Sequence, residues 1–355
     1  MAGAAHGGAE MAFVDMCLAM KDAGQDVMAV TRSNNLRVPM LEKQGIPVKQ
    51  LPFGGMLDVW TRHSMTSVIK SFQPHIVQTW MSRAAQKTPR WSASMGIPRY
   101  MVFSRLGGYY KLKNYRQTDY FITITPDIRR YLIDQNIALD RVRHINNFAE
   151  TEAADTPASR ADENTPDDAK LILCLGRLHP SKAFDTMMRA IVPIPDVHLW
   201  IAGEGPQRAD LEYLRHDLGL DNRVRFLGWR DDRAALLQAA DLCVFPSRYE
   251  PFGTVFVQAW AQKTPVICTA ADGPRQYIRN GEDGILVPVD NVTELSEAIS
   301  KTLGDSALRE KMVGNGYARY LAEFTKDRAV AQYLDFYREI LARTANIDTE
   351  NRVVV

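Results

Sequence analysis

The stretch FPSRYEPFGTVFVQAWA, residues 245–261, runs from the end of an apolar strand through a polar loop into the start of a helix. The strand is LCVF (242–245), the loop holds Ser247 and Glu250, and Gly253 and Thr254 open a helix that contains Gln258. A strand, a short loop and a helix in this order form the repeating step of an open parallel sheet. The start of that helix also has chemistry of its own: free backbone N–H groups and the positive end of the helix dipole suit a phosphate. A carboxylate just before such a turn, Glu250, would lie beside the phosphates and take sugar hydroxyls rather than anions. One turn further in, Gln258 would reach a ribose.

The same alternation extends outward in both directions. In the second half, β-rich runs fall at LILCLG (171–176), VHLWIAG (197–203), VRFLG (224–228), LCVFP (242–246), PVICT (265–269) and GILVP (284–288). In the first half they fall at 26–31, 47–52, 75–79, 99–103, 120–124 and 141–145, with helical patterns between. The expected class is therefore α/β. Residues 9–23 read as the first helix, with Met11, Val14, Leu18 and Cys17 towards one face and Gly24 as its stop. The tail 325–343 reads as one long helix carrying Val330, Tyr333, Leu334, Tyr337 and Ile340 or Leu341 on one face. Between the halves, AETEAADTPASRADENTPDDA (149–169) has linker composition. The expected division is an N-terminal domain over 1–148, a linker over 149–169, a second α/β domain over 170–324, and a C-terminal helix over 325–355 returning to the N-terminal domain. A nucleotide-binding domain usually opens with a strand before its glycine turn. Here Gly7-Gly8 follow six residues, so that strand is expected to be short or missing.

Composition narrows the function. At 355 residues, two domains are the natural expectation. Apolar residues at 46% and charged residues at 24% describe an ordinary globular chain, and a net charge of +1 disfavours a dedicated nucleic-acid binder. Cys17, Cys174, Cys243 and Cys268 are dispersed in apolar runs, which indicates core residues rather than disulfides or a zinc site. With no apolar run of membrane-spanning length and no signal-peptide pattern, the expected location is the cytoplasm.

Two further segments carry chemistry. In LGRLHPSKAFD (175–185) a strand ends at Gly176 and is followed by Arg177 and Lys182. Cations just past the end of a parallel strand suit a diphosphate, although an ordinary loop with two solvated cations accounts for them too. WIAGEGPQRADL (200–211) passes from a strand through Gly203-Glu204-Gly205-Pro206 into a helix. A tight turn explains that segment as well as a ligand does.

Taken together, GGAE (7–10), LGRLHPSK, GEGP, FLGW (226–229), PSRYEPFG and GILVP resemble family 4 of the retaining glycosyltransferases, over nearly the whole chain. The resemblance implies a GT-B fold, two Rossmann-like domains facing across a cleft. It also implies a sugar nucleotide as donor, retention at the anomeric carbon, and no cofactor or obligatory metal. Arg177 and Lys182 would bind the donor diphosphate and Glu250 the transferred sugar. The backbone of Phe252, Gly253 and Thr254 would lie against sugar and phosphate, residues 228–230 with Trp229 near the base, and Gly8 would approach from the N-terminal domain. Ser247, Gly203, Gly205 and Gln258 complete the expected donor set.

Three positions depart from the family pattern. Gln258 stands where a second glutamate is usual, and an amide offers one acceptor oxygen in place of two; weaker donor binding or altered geometry is expected. Asp272-Gly273-Pro274-Arg275-Gln276 replaces a Gly-Gly-acid stretch, and Ser104-Arg105 stands where many members carry a histidine. The seven histidines, among them His6 and His179, are assigned no catalytic role.

Between residues 83 and 118 the chain carries eight Lys or Arg and no acid, with Trp91, Tyr100, Tyr109, Tyr110 and Tyr115 interleaved. This is either a solvated basic face or a surface for an anionic glycan, a lipid-linked acceptor or inner-leaflet headgroups, with Arg105, Lys111 and Lys113 as acceptor-side candidates. Nucleic acid is disfavoured by the donor motifs. The leading reading is a transferase that moves a sugar from a nucleoside-diphosphate sugar to an envelope glycan or lipid-linked acceptor. The alternatives are a GT-B epimerase and a non-catalytic sugar-nucleotide-binding protein; a dinucleotide oxidoreductase is disfavoured for want of a GxGxxG turn.

Overall fold

The structure, a computed structural model, describes residues 1–3, 7–55, 58–149 and 154–350, with backbone alone for 345–350. His6, part of the acidic stretch (150–153) and the end of the tail (351–355) lie outside the described residues. The chain divides into two compact units, Met1–Asn147 with Lys326–Val355, and Phe148–Thr325.

In the first unit β1 (Ala29–Thr31) pairs in parallel with β2 (Val48–Gln50). A second parallel sheet runs in the order β3 (Ile76–Trp80), β4 (Met101–Leu106), β5 (Tyr120–Thr123) and β6 (Val142–His144). The strands thus form two ladders rather than one, and β1 and β2 are shorter than their apolar runs. A cavity of about 110 Å³ is lined by Val30 of β1, residues 76–79 of β3, Phe13 and Met65. The first helix, Gly8–Asp22, buries Phe13, Val14, Met16, Cys17 and Met20, so its inward face is centred one position away from the Met11–Leu18 line. Phe13 meets Trp80 edge-on at 5.7 Å.

The tail helix spans Lys326–Glu350 and packs on this same sheet. Phe336 and Tyr337 both stand edge-on to Phe103, at 5.3 and 4.9 Å, and the Tyr337 hydroxyl donates to Gln78. Its buried stripe is Ala329, Val330, Tyr333, Phe336 and Ile340; Phe336, absent from the sequence reading, is its centre.

The second unit holds one six-stranded parallel sheet ordered β12-β11-β10-β7-β8-β9. Its strands are β7 (Lys170–Leu175), β8 (Val197–Ala202), β9 (Val224–Gly228), β10 (Leu242–Phe245), β11 (Val266–Thr269) and β12 (Ile285–Val287). In β7 every residue from 171 to 175 is buried, so both faces of the sheet are covered, which is why the strand reads as a continuous apolar run. Helix Phe184–Ile191 supplies Phe184, Met187, Met188 and Ile191 to one side of that core. All four cysteines are buried and free. Despite its linker composition, the stretch after residue 157 is tied to this unit. Ala158 N donates to Ala235 O, Arg160 donates to Ala239 O and Asp241, and Trp200 Nε1 donates to Thr165.

His144 ends β6 half-buried, and the loss of solvent around its ring pulls its pKa from 6.5 down to about 4. The fold therefore holds the neutral ring. Its contribution is complete above about pH 6.5 and is lost as the pH falls through about 4. Thermal unfolding is expected to show a loss of up to about 3 kcal/mol over that window, and His144→Asn should flatten the decline. An unchanged pH profile in the variant would remove His144 from the account of acid sensitivity.

Candidate active site

In the six-stranded sheet β7 lies between β8 and β10. The chain proceeds from β7 to β8 and β9 in one direction, then returns to build β10, β11 and β12 in the other. The loops leaving β7 and β10 consequently diverge from two neighbouring strand ends. In an open parallel sheet this is where a ligand crevice forms. The register Leu242↔Ile172 and Cys243↔Leu173 fixes how far each loop starts along the sheet.

The loop after β7 carries Arg177, which is exposed and has no ion-pair partner among the described residues. Next comes a 3-10 turn, Pro180–Lys182, capped by His179, whose Nδ1 accepts from Ser181 N at 3.2 Å. The GEGP turn closes on this loop by backbone alone. Gly176 N donates to Ala202 O, Leu178 N to Glu204 O and Gln207 N to Leu178 O, at 3.0–3.1 Å. A Cβ at Gly203 would stand 1.8 Å from Gly176 O, and one at Gly205 would stand 2.3 Å from Leu178 O. Both glycines are thus needed for the turn to lie on the cationic loop.

The loop after β10 is held by a residue that the motif reading passed over. Arg248 forms a two-pronged ion pair with Asp185 at 2.7 and 3.0 Å, meets Asp290 at 2.7 Å and donates to Pro180 O at 2.7 Å. Its own N–H donates to Ser181 O at 2.8 Å. These bonds raise the Arg248 pKa above its ordinary value, with Asp185 the largest cause. One side chain thus ties the loop after β10 to the loop after β7. Its partners lie 63 and 42 positions away, so no local spacing signals it.

Across the joined loops Lys182 Nζ pairs with Glu250, with the two side chains 21% and 17% exposed. Lys182 also sits 5.2 Å above the Phe245 ring. Glu250 O accepts from Gly273 N at 2.7 Å, which draws the Asp272–Gln276 departure against this loop. Gly253 adopts φ +94 as the cap of helix Thr254–Ala261, and a Cβ there would meet Phe245 at 2.7 Å. Lys182, Glu250 and the helix N-terminus are therefore brought together.

Other expected residues are placed differently. The Phe252 side chain is buried against Phe256, Tyr277 and Phe324, which leaves only its backbone towards the loop. Ser247 is fully buried, its Oγ without a partner and its carbonyl accepting from Thr269 at 2.5 Å. Gln258 is 5% exposed. Trp229, just past β9, is 54% exposed and donates to Asp231. Gly8 begins the first helix of the other unit, with open space where a Cβ would be.

Arg105 departs from the surface reading. It is 4% exposed, stacked 4.2 Å over the Trp80 ring and bonded to Asn147 and Tyr333, with Nε unpartnered. Burial lowers its pKa. Lys111 and Lys113, by contrast, are exposed on either side of Leu112.

A profile of the family described as Glycosyl transferases group 1 matches residues 155–319. The lipopolysaccharide core biosynthesis glycosyltransferase LpsE of Rhizobium meliloti (strain 1021) is 31% identical over 331 residues, which is 92% of this chain and 95% of that protein. LpsD of the same organism is 30% identical over 344 residues, 95% of this chain and 97% of its own. Anabaena Alr3699/HepE, solved in complex with UDP, superposes with a TM-score of 0.82 at 20% identity over 95% of this chain and 98% of its own. A glycosyltransferase from Rickettsia africae ESF-5 does so with 0.81 at 17% identity, over 96% and 97%. At those identities the likeness shows the fold, which is that of the GT-B enzymes.

Arg248→Ala should loosen both loops at once. Partly exposed ion pairs and charged hydrogen bonds of this number suggest a stability loss of about 1–2 kcal/mol. Hydrogen exchange should accelerate in peptides covering 177–186 and 246–254 together. Faster exchange confined to one loop would contradict the tie.

Proposed function

The chain belongs to the group 1 glycosyltransferases, and from that premise we propose that it transfers a sugar from a nucleoside-diphosphate sugar to an anionic envelope glycan or lipid-linked acceptor, with retention at the anomeric carbon. The observation that carries the donor half is the meeting of the Arg177–Lys182 loop with Glu250 and the Gly253 helix N-terminus at the sheet's switch point. Two cations and a helix N-terminus on one side of a crevice complement a diphosphate. The neighbouring carboxylate complements neutral hydroxyls. HepE, whose structure contains UDP, supports a nucleoside diphosphate as the leaving group, and the names of LpsE and LpsD support an envelope acceptor.

In this reading the bond between the anomeric carbon and the diphosphate oxygen breaks while negative charge grows on the diphosphate. Arg177, Lys182 and the N–H groups at Thr254 stabilise that charge where it develops. The acceptor hydroxyl attacks from the face of the departing phosphate, which takes its proton. The exposed Trp229 ring offers a stacking surface to the base, and Gln258 supplies one acceptor oxygen for the ribose. Gly203 and Gly205 act through the backbone they hold. Because two side chains and a helix end already neutralise the diphosphate, no metal is required, and a chelator should leave turnover unchanged.

The Lys182–Glu250 pair makes this reading testable. A diphosphate that engages Lys182 competes with Glu250, and the released carboxylate then meets the sugar. Calorimetry with a panel of nucleoside diphosphates and sugar nucleotides should therefore separate the residues. Arg177→Ala should weaken both ligand types by about 10- to 100-fold. Glu250→Gln should weaken the sugar nucleotide while leaving the bare nucleoside diphosphate equal or tighter. Equal losses for both ligands in Glu250→Gln would remove Glu250 from the sugar, and no binding by any member of the panel would overturn the donor assignment.

A further inference from the structure

Three aromatic residues lie within 245–252. Phe245 and Phe252 are turned into the core, whereas Tyr249 is 51% exposed. Among the described residues its hydroxyl has no hydrogen-bond partner and its ring meets no other ring. We propose that Tyr249 reads the transferred sugar, its ring serving as the platform for the carbon–hydrogen face of a neutral hexose whose hydroxyls meet Glu250. This role deepens the donor half of the function above and rests on that reading.

The exposure is not that of a loose loop. The backbone N–H groups of Arg248 and Tyr249 both donate to Ser181 O, at 2.8 and 3.4 Å. The Arg248 side chain donates to Pro180 O and to Asp185, and Glu250 O accepts from Gly273 N at 2.7 Å. The chain is thus fixed on both sides of Tyr249. A Cβ at Gly273 would stand 2.3 Å from Phe252 O, so the 272–273 turn lies directly on this loop. Partial burial first, and then the charges of Asp272 and Glu250, raise the phenol pKa above its ordinary value. The group therefore stays a neutral hydroxyl, able to donate and to accept.

Chemistry and position together select the ligand. A pyranose has an apolar carbon–hydrogen face and a rim of hydroxyls. A fixed aromatic ring offers apolar area to the face, and the adjoining carboxylate of Glu250 accepts from the rim. The nucleobase is the other part of the donor that suits an aromatic ring, but its expected place is Trp229, just past β9. In the strand order β10-β7-β8-β9, three spacings separate that end from β10, about 14 Å. Tyr249 and Trp229 therefore serve opposite ends of an extended sugar nucleotide. Charge then narrows the sugar. Asp272 is matched by Arg275 at 3.1 Å, whereas Glu250 loses Lys182 when a diphosphate engages that cation. The sugar end is left with one uncompensated carboxylate, which accepts hydroxyls and repels a sugar bearing a carboxylate of its own.

The test is calorimetry of the full chain with UDP, UDP-glucose and UDP-glucuronate, and with GDP, GDP-mannose and GDP-mannuronate. The parent should bind a hexose nucleotide at least about tenfold tighter than the matching uronate. Tyr249→Ala should weaken the hexose nucleotide by about tenfold while leaving the bare diphosphate and the melting temperature unchanged. Tyr249→Phe, which keeps the ring, should retain most of the hexose affinity. Glu250→Gln should narrow the preference for hexose over uronate. Equal hexose binding by the parent and Tyr249→Ala, or an equal loss of the bare diphosphate in that variant, overturns the role of Tyr249 and leaves the donor reading standing. Unchanged donor binding with lost turnover in Tyr249→Ala overturns it in favour of the acceptor. A parent that binds hexose and uronate alike overturns the neutral sugar. If the parent binds none of these ligands, the donor reading itself falls, and the role of Tyr249 with it.

Discussion

The parallel pairing of β10 with β7 is the contact on which the candidate site depends. Leu242 faces Ile172 and Cys243 faces Leu173, although about 70 residues of chain and two other strands separate them in sequence. Because the pairing is parallel, both strands release their loops at the same edge. Because it joins the two halves of the sheet, those loops leave in diverging directions. An antiparallel pairing, or insertion of β8 between them, would send Arg177 and Glu250 to different places. The apolar interior makes this order stable: β7 and β10 are buried throughout from Leu171 to Leu175 and Leu242 to Phe245, so neither tolerates an edge position.

Strand order brings the loops near one another, and three devices then fix their shape. Arg248 ties the second loop to Asp185, Asp290 and Pro180 O of other segments. The GEGP turn braces the first loop through backbone bonds that Gly203 and Gly205 permit. Glu250 and Lys182 then meet as an ion pair. The division of labour is informative. Arg248 has all its charge spent on carboxylates and carbonyls and so acts on geometry. Arg177 has no partner among the described residues, so its charge is available to a ligand. Two arginines in neighbouring loops thus serve opposite ends, and their environments distinguish them where their residue type does not.

The strand runs were legible because parallel strands covered on both faces must be apolar along most of their length, as β7 is from Leu171 to Leu175 and β8 from Leu199 to Ala202. Helix stripes were legible to within one position: the first helix turns inward on Phe13 and Val14, and the tail helix on Phe336. The motifs marked where Arg177, Lys182, Glu250 and Gly253 fall, since these follow strand ends directly. What pattern did not convey depends on partners distant in sequence. Arg248 sits between two motif residues and reads as one more polar loop position until Asp185 and Asp290 arrive. The stretch after residue 157 has the acids and prolines of a linker, yet Arg160 anchors it through Ala239 O and Asp241. Arg105 reads as one of eight basic residues, and its stacking on Trp80 and bonds to Asn147 and Tyr333 separate it from the exposed ones.

That separation bears on the basic stretch of the first unit. A basic stretch read as one surface divides, once folded, into charges with different work. Arg90 is paired with Asp119, Lys87 donates to Gly55 O and Asp58 O, and Arg105 is buried against an aromatic ring. Lys111 and Lys113 stay in solvent. Compensated charges contribute little to long-range attraction, so the attraction of this unit for anions comes from the uncompensated ones and is more local than the count suggests.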